Sequence, residues 1–349
     1  MATLTERMLK TGGGVMLADS RIFKDKDVIR TDLPMLNIAC SGEIAGGFTP
    51  GLTIVAGESK TFKTALSLFC MAAYLREFKD SIGILYDTEF GITPDYISSF
   101  GIDPARVIHI PIANIEELKF DFIKKLAELK LGDKAFFMVD SIGQIASKKE
   151  IDDATNEKST ADMTRAKAIR SLLRMITVQL AMKELPCFMI NHVYVEIGAM
   201  YPKTVIPGGT AVTYSANQIF VITKSQEKAG DELAGWRFNL NIYKSRYVRE
   251  KTRLPIVAMY ESGLEKWAGM LELAVDMGYV VKPKNGWYTR PSVDGDKNWR
   301  EKDTLADEFW EPVFRETDFA TAIKRKFKLG IGEANPSDES DVDTESEGE

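Results

Sequence analysis

Gly57-Glu58-Ser59-Lys60-Thr61-Phe62-Lys63-Thr64 is the stretch that decides the fold, because it nearly matches the phosphate-binding pattern G-x-x-x-x-G-K-[ST]. Phe62 stands where the pattern has glycine, and the other fixed positions agree. Residues 52–56 before it form a short apolar run that suits a buried parallel strand, and residues 65–74 after it are rich in helix formers. The local pattern is therefore strand, turn and helix.

Such a turn favours bound phosphate, because backbone N–H groups and a helix N-terminus point at one spot. We expect all eight residues of the stretch to surround the phosphates of a bound nucleotide. Lys63 would reach the β- and γ-phosphate oxygens, and the Thr64 hydroxyl would bind Mg²⁺. Because Phe62 replaces a glycine of the pattern, this match alone is weak. Other segments of the chain have to decide whether the stretch binds phosphate.

The composition indicates a soluble protein with room for one large or two medium domains, since 349 residues are 44% hydrophobic and 28% charged. The first 14 residues lack the apolar core of a signal peptide, so we expect a cytosolic protein. Cys40, Cys70 and Cys187 are widely spaced in apolar surroundings and are predicted to be buried thiols. With only His109 and His192 in the chain, no cysteine and histidine cluster has metal-ligand spacing.

The net charge of −6 is unevenly distributed, because residues 333–349 hold eight acids and no base and the rest of the chain carries +2. The net acidity therefore does not exclude a nucleic-acid partner. The tail has almost no apolar residues, and we predict it to be disordered. It is either a solubilising end or a regulatory segment that competes with DNA for basic surface or docks a basic partner.

Apolar runs alternate with helical patterns through the first two thirds of the chain. The runs that suit strands are 52–56, 82–86, 135–139 and 187–190, and the helical patterns between them are 115–131 and 166–180. This alternation predicts an α/β fold with a mostly parallel central sheet covered on both faces. Later runs at 218–223, 236–243 and 254–260 read as antiparallel strands that extend the sheet.

Polar residues follow the strand ends, where ligands bind in parallel sheets. Asp140 ends an apolar strand, so it is either the aspartate that holds Mg²⁺, directly or through water, or a helix N-cap. Glu89 follows the strand that ends near Asp87, and it either activates water for attack on the γ-phosphate or is a solvated loop acid. His192 follows the strand 187–190, where a hydrogen-bonded core histidine is the alternative to a functional one.

Two long connections, 147–162 and 193–210, follow the Asp140 and His192 strands, and connections of this length are functional or mobile more often than short ones. The helix after the first connection carries Lys167, Arg170 and Arg174 on a face opposite its apolar stripe. That basic face is either simply solvated or a track for nucleic-acid phosphates.

Taken together, these residues make the chain resemble RecA-family recombinases, in particular their bacteriophage branch. The resemblance runs from about residue 28 to about residue 330. It rests on 46–51, 57–64 including Phe62, 86–91, 139–141, 163–167, 190–192, 208–210, 244–246 and 282–288. It implies a RecA-like P-loop ATPase core at 28–264, preceded by a helical N-terminal arm at 1–27 for subunit contact. A small C-terminal α/β domain at 265–330 and the acidic tail at 331–349 complete the expected organisation.

The resemblance also implies roles for individual residues. Glu89 matches the catalytic glutamate of the family, Tyr96 the aromatic residue that stacks on adenine, and His192 the position that senses the γ-phosphate. Lys244 and Arg246 match a basic pair that reaches the nucleotide of the neighbouring subunit, whereas without the resemblance they are two exposed cations. The predicted DNA-binding residues are Arg165, Lys167, Arg174, Lys203, Thr204, Gly208, Gly209 and Thr210.

The implied function is an ATP- and Mg²⁺-dependent recombinase that forms helical filaments on single-stranded DNA and exchanges strands with a homologous duplex. We expect single-strand-binding and loading proteins as accessory partners, and no membrane partner. Two alternatives stay open at this point: a hexameric helicase of the DnaB type on the same core, and a nucleotide-gated scaffold filament.

Overall fold

The computed structural model describes residues 3–20, 27–156, 164–195 and 204–330. Within these residues the largest element is a nine-stranded sheet with the order β11-β10-β9-β8-β1-β5-β4-β2-β3. Its strands are β1 Gly51–Gly57, β2 Ile82–Asp87, β3 Val107–Pro111, β4 Ala135–Asp140, β5 Pro186–Asn191, β8 Gln218–Ala229, β9 Glu232–Ser245, β10 Arg253–Met259 and β11 Gly263–Leu264.

The strands from β8 to β3 in this order are parallel, and β9, β10 and β11 extend the sheet as antiparallel members. The mostly parallel sheet with an antiparallel extension is therefore confirmed. Every residue of β1, β4 and β5 is buried, as expected for central parallel strands covered on both faces. The β-branched and aromatic residues of these strands suit such a position.

Helices cover both faces of the sheet and bury alternate residues of the same strands. Helices α2 (Pro34–Ser41) and α3 (Lys63–Glu77) share one apolar cluster with Val55 and Phe136. Helices α5 (Ile115–Glu128) and α7 (Thr164–Met182) share the other cluster with Ile54 and Phe137. The remaining helices are α1 Leu4–Lys10, α4 Pro94–Ser98, α6 Lys148–Thr155, α8 Thr210–Ser215, α9 Met270–Asp276, α10 Pro291–Asp294, α11 Asp307–Glu316 and α12 Phe319–Phe327.

The C-terminal segment combines the last four helices with a small antiparallel sheet of β12 (Val281–Lys284), β13 (Trp287–Thr289) and β14 (Trp299–Arg300). Asn285 and Gly286 form the turn of the hairpin between β12 and β13. Phe309, Trp310 and Phe319 are fully buried there and belong to the same apolar cluster as α2 and α3. The C-terminal segment is therefore packed onto the sheet through apolar contacts.

The first long connection differs from its prediction, because residues 148–155 of the expected loop 147–162 form helix α6. The cause is a capping box, in which the Ser147 hydroxyl accepts from the Glu150 N–H and the Glu150 carboxylate accepts from the Ser147 N–H. The edge strand β3 was not anticipated either, since its half-exposed residues lack an unbroken apolar run. Residues 157–162 of that connection lie outside the described residues.

Within the predicted N-terminal arm, α1 is helical and has no buried residue, and the role of the arm stays a prediction. Residues 21–26 of the arm and the acidic tail from residue 331 onward lie outside the described residues. The three cysteines are buried free thiols, as predicted. Among the described residues, no helix combines the length and apolarity needed to cross a bilayer.

Candidate nucleotide-binding and catalytic site

The P-loop closes on its own backbone at the carboxyl end of β1. The Lys63 ammonium is buried and donates to the Glu58 carbonyl at 2.6 Å, and the Thr61 hydroxyl donates to the same oxygen at 2.7 Å. Gly57 permits this turn, because a Cβ there would lie 2.6 Å from Thr61 Oγ1 and 2.7 Å from the Ile222 carbonyl oxygen. The glycine at 57 is thus required by the close approach of its neighbours.

Phe62 adopts the backbone conformation that glycine normally supplies at this position. Its φ angle is +70°, in the left-handed region, and its carbonyl accepts the first hydrogen bond of α3, from Leu66. The Phe62 ring stacks on Phe238 of β9, with centroids 4.7 Å apart and planes 18° apart. Aromatic stacking therefore holds the phenylalanine in a conformation that is unfavourable for it.

Thr64 and Asp140 meet below the P-loop, where the Thr64 hydroxyl donates to Asp140 Oδ2 at 2.7 Å. Asp140 Oδ1 is buried and has no hydrogen-bond partner among the described residues. A buried carboxylate oxygen without a partner, beside a threonine hydroxyl, is a donor set that suits Mg²⁺. The two residues that the sequence assigned to the metal therefore fit it.

Burial and two nearby carboxylates change the ionisation of the site. Burial raises the pKa of Asp140 to about 6, and Glu89 and Asp87 add to the shift while the Thr64 hydrogen bond and Lys63 oppose it. Burial also lowers the pKa of Lys63, and the negative charges of Glu89 and Asp140 oppose that shift. A buried ammonium between carboxylates provides the positive charge that phosphate needs.

Glu89 lies between two polar side chains from neighbouring strand ends. The Ser141 hydroxyl donates to Glu89 Oε1 at 2.6 Å, and His192 Nε2 lies 3.1 Å from the same oxygen. Since a carboxylate only accepts, Nε2 is the protonated nitrogen in this contact. Ser141 directly follows Asp140 in the sequence, but the sequence pattern did not predict its contact with Glu89.

The backbone around Glu89 is fixed by Asp87 and Thr88. One oxygen of the buried Asp87 carboxylate accepts from the Glu89 N–H at 3.0 Å and from the Phe90 N–H at 2.7 Å. The Thr88 hydroxyl donates to the Ser141 carbonyl at 2.9 Å and accepts from the Ser141 N–H at 2.8 Å. These contacts tie the end of β2 to the end of β4.

A cavity of about 340 Å³ connects these groups. Its lining comprises residues 59–65, Glu89, Tyr96, Asp140, Ile190, His192 and Phe238. Two clefts beside the C-terminal segment are larger, at about 490 and 560 Å³, but neither is lined by the P-loop or by Glu89. The chemistry of the lining, and not the volume, therefore identifies the candidate site.

Tyr96 lies at the rim of this cavity on α4 and is 38% exposed. The Thr93 hydroxyl accepts from the Tyr96 N–H at 3.1 Å and caps the helix. The ring contacts Phe100 edge-on, with centroids 5.2 Å apart. A partly exposed ring at the rim of the pocket is available to stack on a base.

Two models of known protein families match the chain, one over its first three quarters and one near its C-terminus. A family model of the RecA N-terminal domain matches residues 3–265 of the chain. The chain belongs to the RecA family. A second model, the C-terminal domain of the recombination and repair protein of bacteriophage T4, matches residues 267–323 of this RecA-family chain. The predicted family and the predicted RecA-like fold are thereby confirmed.

Individual relatives agree with the family models. The chain is 44% identical over 354 residues to the recombination and repair protein of Enterobacteria phage T4. This match covers 98% of this chain and 90% of that protein. It is 25% identical over 280 residues to protein RecA of Clostridioides difficile strain 630, covering 79% and 77%. It is 26% identical over 288 residues to protein RecA of Ruminococcus albus, covering 81% and 69%.

In this RecA-family chain, Asn191 joins the second long connection, 193–210, to the end of β5 beside the candidate nucleotide site. The Asn191 carboxamide donates to the Pro207 carbonyl at 2.8 Å and accepts from the His192 N–H at 3.0 Å. The base of the loop is a short ribbon of β6 (Tyr194–Val195) and β7 (Thr204–Val205). Gly208 and Gly209 follow with φ angles of +100° and +67°, and Thr210 begins α8. Lys203 lies outside the described residues.

The predicted DNA contacts on α7 divide into two groups. Lys167 and Arg174 are exposed, as is Arg170 between them, while Ile169 and Leu173 on the other side of the helix are buried. Arg165 instead donates from Nε to the Ile145 carbonyl at 2.7 Å and from Nη2 to the Gly143 carbonyl. Arg165 thus ties the start of α7 to the segment after Asp140, a structural role that the sequence did not indicate.

Lys244 and Arg246 lie outside the cavity of their own chain. The Lys244 ammonium donates to the carbonyls of Thr213 at 2.5 Å and Ala216 at 2.8 Å, at the C-terminus of α8. Burial and the charge of Arg246 lower the pKa of Lys244. Arg246 is exposed. This position is compatible with contact to another subunit, and the role in trans stays a prediction.

Proposed function

We propose that this protein is an ATP-dependent DNA recombinase that forms a filament on single-stranded DNA and pairs it with a homologous duplex. The observation that supports the proposal most is the single cavity lined by Lys63, Thr64, Asp140, Glu89 and His192. The T4 relative is a recombination and repair protein, and that similarity favours the same process for this chain. We retain the division into arm, core, C-terminal domain and tail as part of the proposal.

The P-loop binds the triphosphate by giving up hydrogen bonds within the loop and forming hydrogen bonds to the phosphates. Lys63 would leave the Glu58 carbonyl and turn its ammonium toward the β- and γ-phosphates, and Thr64 and Asp140 would hold Mg²⁺. The metal neutralises charge on the phosphate oxygens when it is bound. Tyr96 stacks on the adenine at the rim of the cavity.

Glu89 is the group that orients and deprotonates the attacking water. Ser141 and His192 both contact Oε1, which leaves Oε2 to accept the proton. When nucleotide is bound, His192 moves its N–H from Glu89 to the γ-phosphate. That exchange would couple the end of β5 to the presence of the γ-phosphate.

DNA affinity would then depend on nucleotide through the Asn191 link to Pro207. The 193–210 loop and the exposed cations of α7 bind the DNA backbone, so binding would depend strongly on salt and little on sequence. By thermodynamic linkage, DNA must change nucleotide affinity by the same factor. The N-terminal arm and the pair Lys244 and Arg246 contact neighbouring subunits in the filament, and Arg246 stabilises the transition state in trans.

The test is ATP turnover by Glu89→Gln in the presence of single-stranded DNA. We expect normal binding of ATP and DNA and a turnover at least about a hundredfold lower, because the general base is lost. Glu77→Gln makes the same charge change at an exposed position at the far end of α3 and serves as the control. Wild-type turnover in the Glu89→Gln variant would remove Glu89 from the reaction.

A further inference from the structure

Two backbone N–H groups of the turn that carries Glu89 are held by one oxygen of one carboxylate. Asp87 Oδ1 accepts from both the Glu89 N–H and the Phe90 N–H, and the Asp87 side chain is 1% exposed. Phe90 adopts a φ angle of +55°, which is unfavourable for a residue with a side chain, and its ring is 64% exposed. Since the exposed Phe90 side chain adds little packing, the Asp87 carboxylate holds this part of the turn, next to the contacts that Thr88 makes with Ser141.

The other oxygen of that carboxylate is held from the edge of the sheet. His109 Nε2 lies 3.1 Å from Asp87 Oδ2, and His109 belongs to β3, where it is the register partner of Leu85. Because an ionised carboxylate only accepts, Nε2 carries the proton and donates. With both oxygens engaged, rotation of the carboxylate about its Cβ–Cγ bond would break hydrogen bonds on both sides.

We propose that His109 is a positioning residue for Glu89, acting through Asp87 although it does not line the ATP cavity. The inference rests on the proposed role of Glu89 as the general base. If the carboxylate of Asp87 turns, the two N–H groups lose their acceptor and the Glu89 carboxylate moves relative to the γ-phosphate. Small displacements of a catalytic group reduce turnover more than they reduce binding.

The experiment measures single-stranded-DNA-stimulated ATP hydrolysis by His109→Ala, His109→Gln and His109→Asn. Glutamine can place an amide N–H where Nε2 lies, whereas asparagine is one bond shorter and cannot reach Asp87. We expect the alanine and asparagine variants to lose about tenfold in kcat with unchanged KM for ATP, and glutamine to recover most of the loss. Ile108→Ala, at an exposed neighbouring position on β3, should keep wild-type kcat.

Several results would overturn the inference. They are full turnover in His109→Ala, equal losses in the glutamine and asparagine variants, or a loss confined to KM. If His109→Ala fails to fold, judged by its thermal melting temperature, the comparison of glutamine with asparagine decides alone.

The double variant His109→Ala/Glu89→Gln separates this inference from the proposed function. It should be no slower than Glu89→Gln, because His109 acts through Glu89. If Glu89→Gln itself retains turnover, the proposed role of Glu89 as the general base fails, and the inference about His109 fails with it. If Glu89→Gln is inactive and His109→Ala is fully active, only the inference about His109 fails.

Discussion

The left-handed conformation of Phe62 costs an L-residue about 1–2 kcal/mol, and stacking on an aromatic ring returns about 0.5–1.5 kcal/mol. In this chain the ring that stacks is Phe238, from an antiparallel strand that joins the sheet beside β8. The stack with Phe238 of β9 therefore offsets part of the cost of the left-handed conformation at Phe62. The left-handed backbone of the P-loop is kept at Phe62, and it depends in part on a residue distant in sequence.

This dependence predicts that Phe238→Ala weakens ATP binding by about 1 kcal/mol, roughly fivefold in Kd. In the Phe62→Gly background the same change should have little effect, since glycine adopts the conformation without a stacking partner. Equilibrium titration of ATP against the two single variants and the double variant measures the coupling. Equal effects of Phe238→Ala in both backgrounds would contradict the account.

Asp140 gives a prediction for the dependence of stability on pH. Its pKa is raised to about 6 in the folded protein from 3.8, so the folded state binds the extra proton more tightly. This contribution to stability is present below pH 3.8 and is lost as the pH rises through about 6, in total about 3 kcal/mol at most. Without Mg²⁺ and nucleotide, the wild type should lose stability relative to Asp140→Asn across this interval. Parallel denaturation curves of the two proteins at pH 4, 5, 6 and 7 are the measurement, and a constant difference would refute the prediction.

At the scale of secondary-structure elements, α7 presents Lys167, Arg170 and Arg174 on one exposed face beside two connections that end at the nucleotide side. If this face follows a DNA backbone, each replacement by alanine should weaken binding to all sequences alike and lower the slope of log K against log salt by about 1. Lys79→Ala is the control, because Lys79 is exposed in the turn after α3, a helix on the other face of the sheet from α7. Unchanged slopes in all three variants would mean that the basic face is only solvated.

Sequence patterns predicted the central strands and the apolar stripe of α7, but not helix α6 or the side-chain contacts of the site. The central strands were predictable because they are continuous apolar runs, and the stripe of α7 because its period is helical. Helix α6 was mistaken for loop because its composition is polar, although the Ser147 and Glu150 capping box was present in the sequence. The ends of the strands predicted which residues share one edge of the sheet. They could not predict the contacts of Ser141 with Glu89, or of Phe62 with Phe238, which depend on side-chain geometry.

At the scale of the whole molecule, the cavity of one chain contains the P-loop, Glu89 and Asp140 but not Lys244 or Arg246. The Lys244 ammonium donates hydrogen bonds to carbonyls at the end of α8, the helix that follows the connection 193–210. Arg246, two residues further along, is exposed. A neighbouring subunit that supplied these cations would join the nucleotide, the loop and the subunit interface in one assembly. Coupling between ATP and DNA would then be a property of the filament.

The most direct test mixes two inactive variants, Glu89→Gln and Arg246→Ala, in equal amounts on single-stranded DNA and measures ATP turnover. If Glu89 of one subunit works with Arg246 of the next, random assembly creates intact sites at roughly a quarter of the interfaces, and about a quarter of the wild-type turnover should return. Mixing Glu89→Gln with the double variant Glu89→Gln/Arg246→Ala should restore nothing and provides the control. Turnover of the first mixture no higher than that of its two components measured alone would contradict a site shared between subunits.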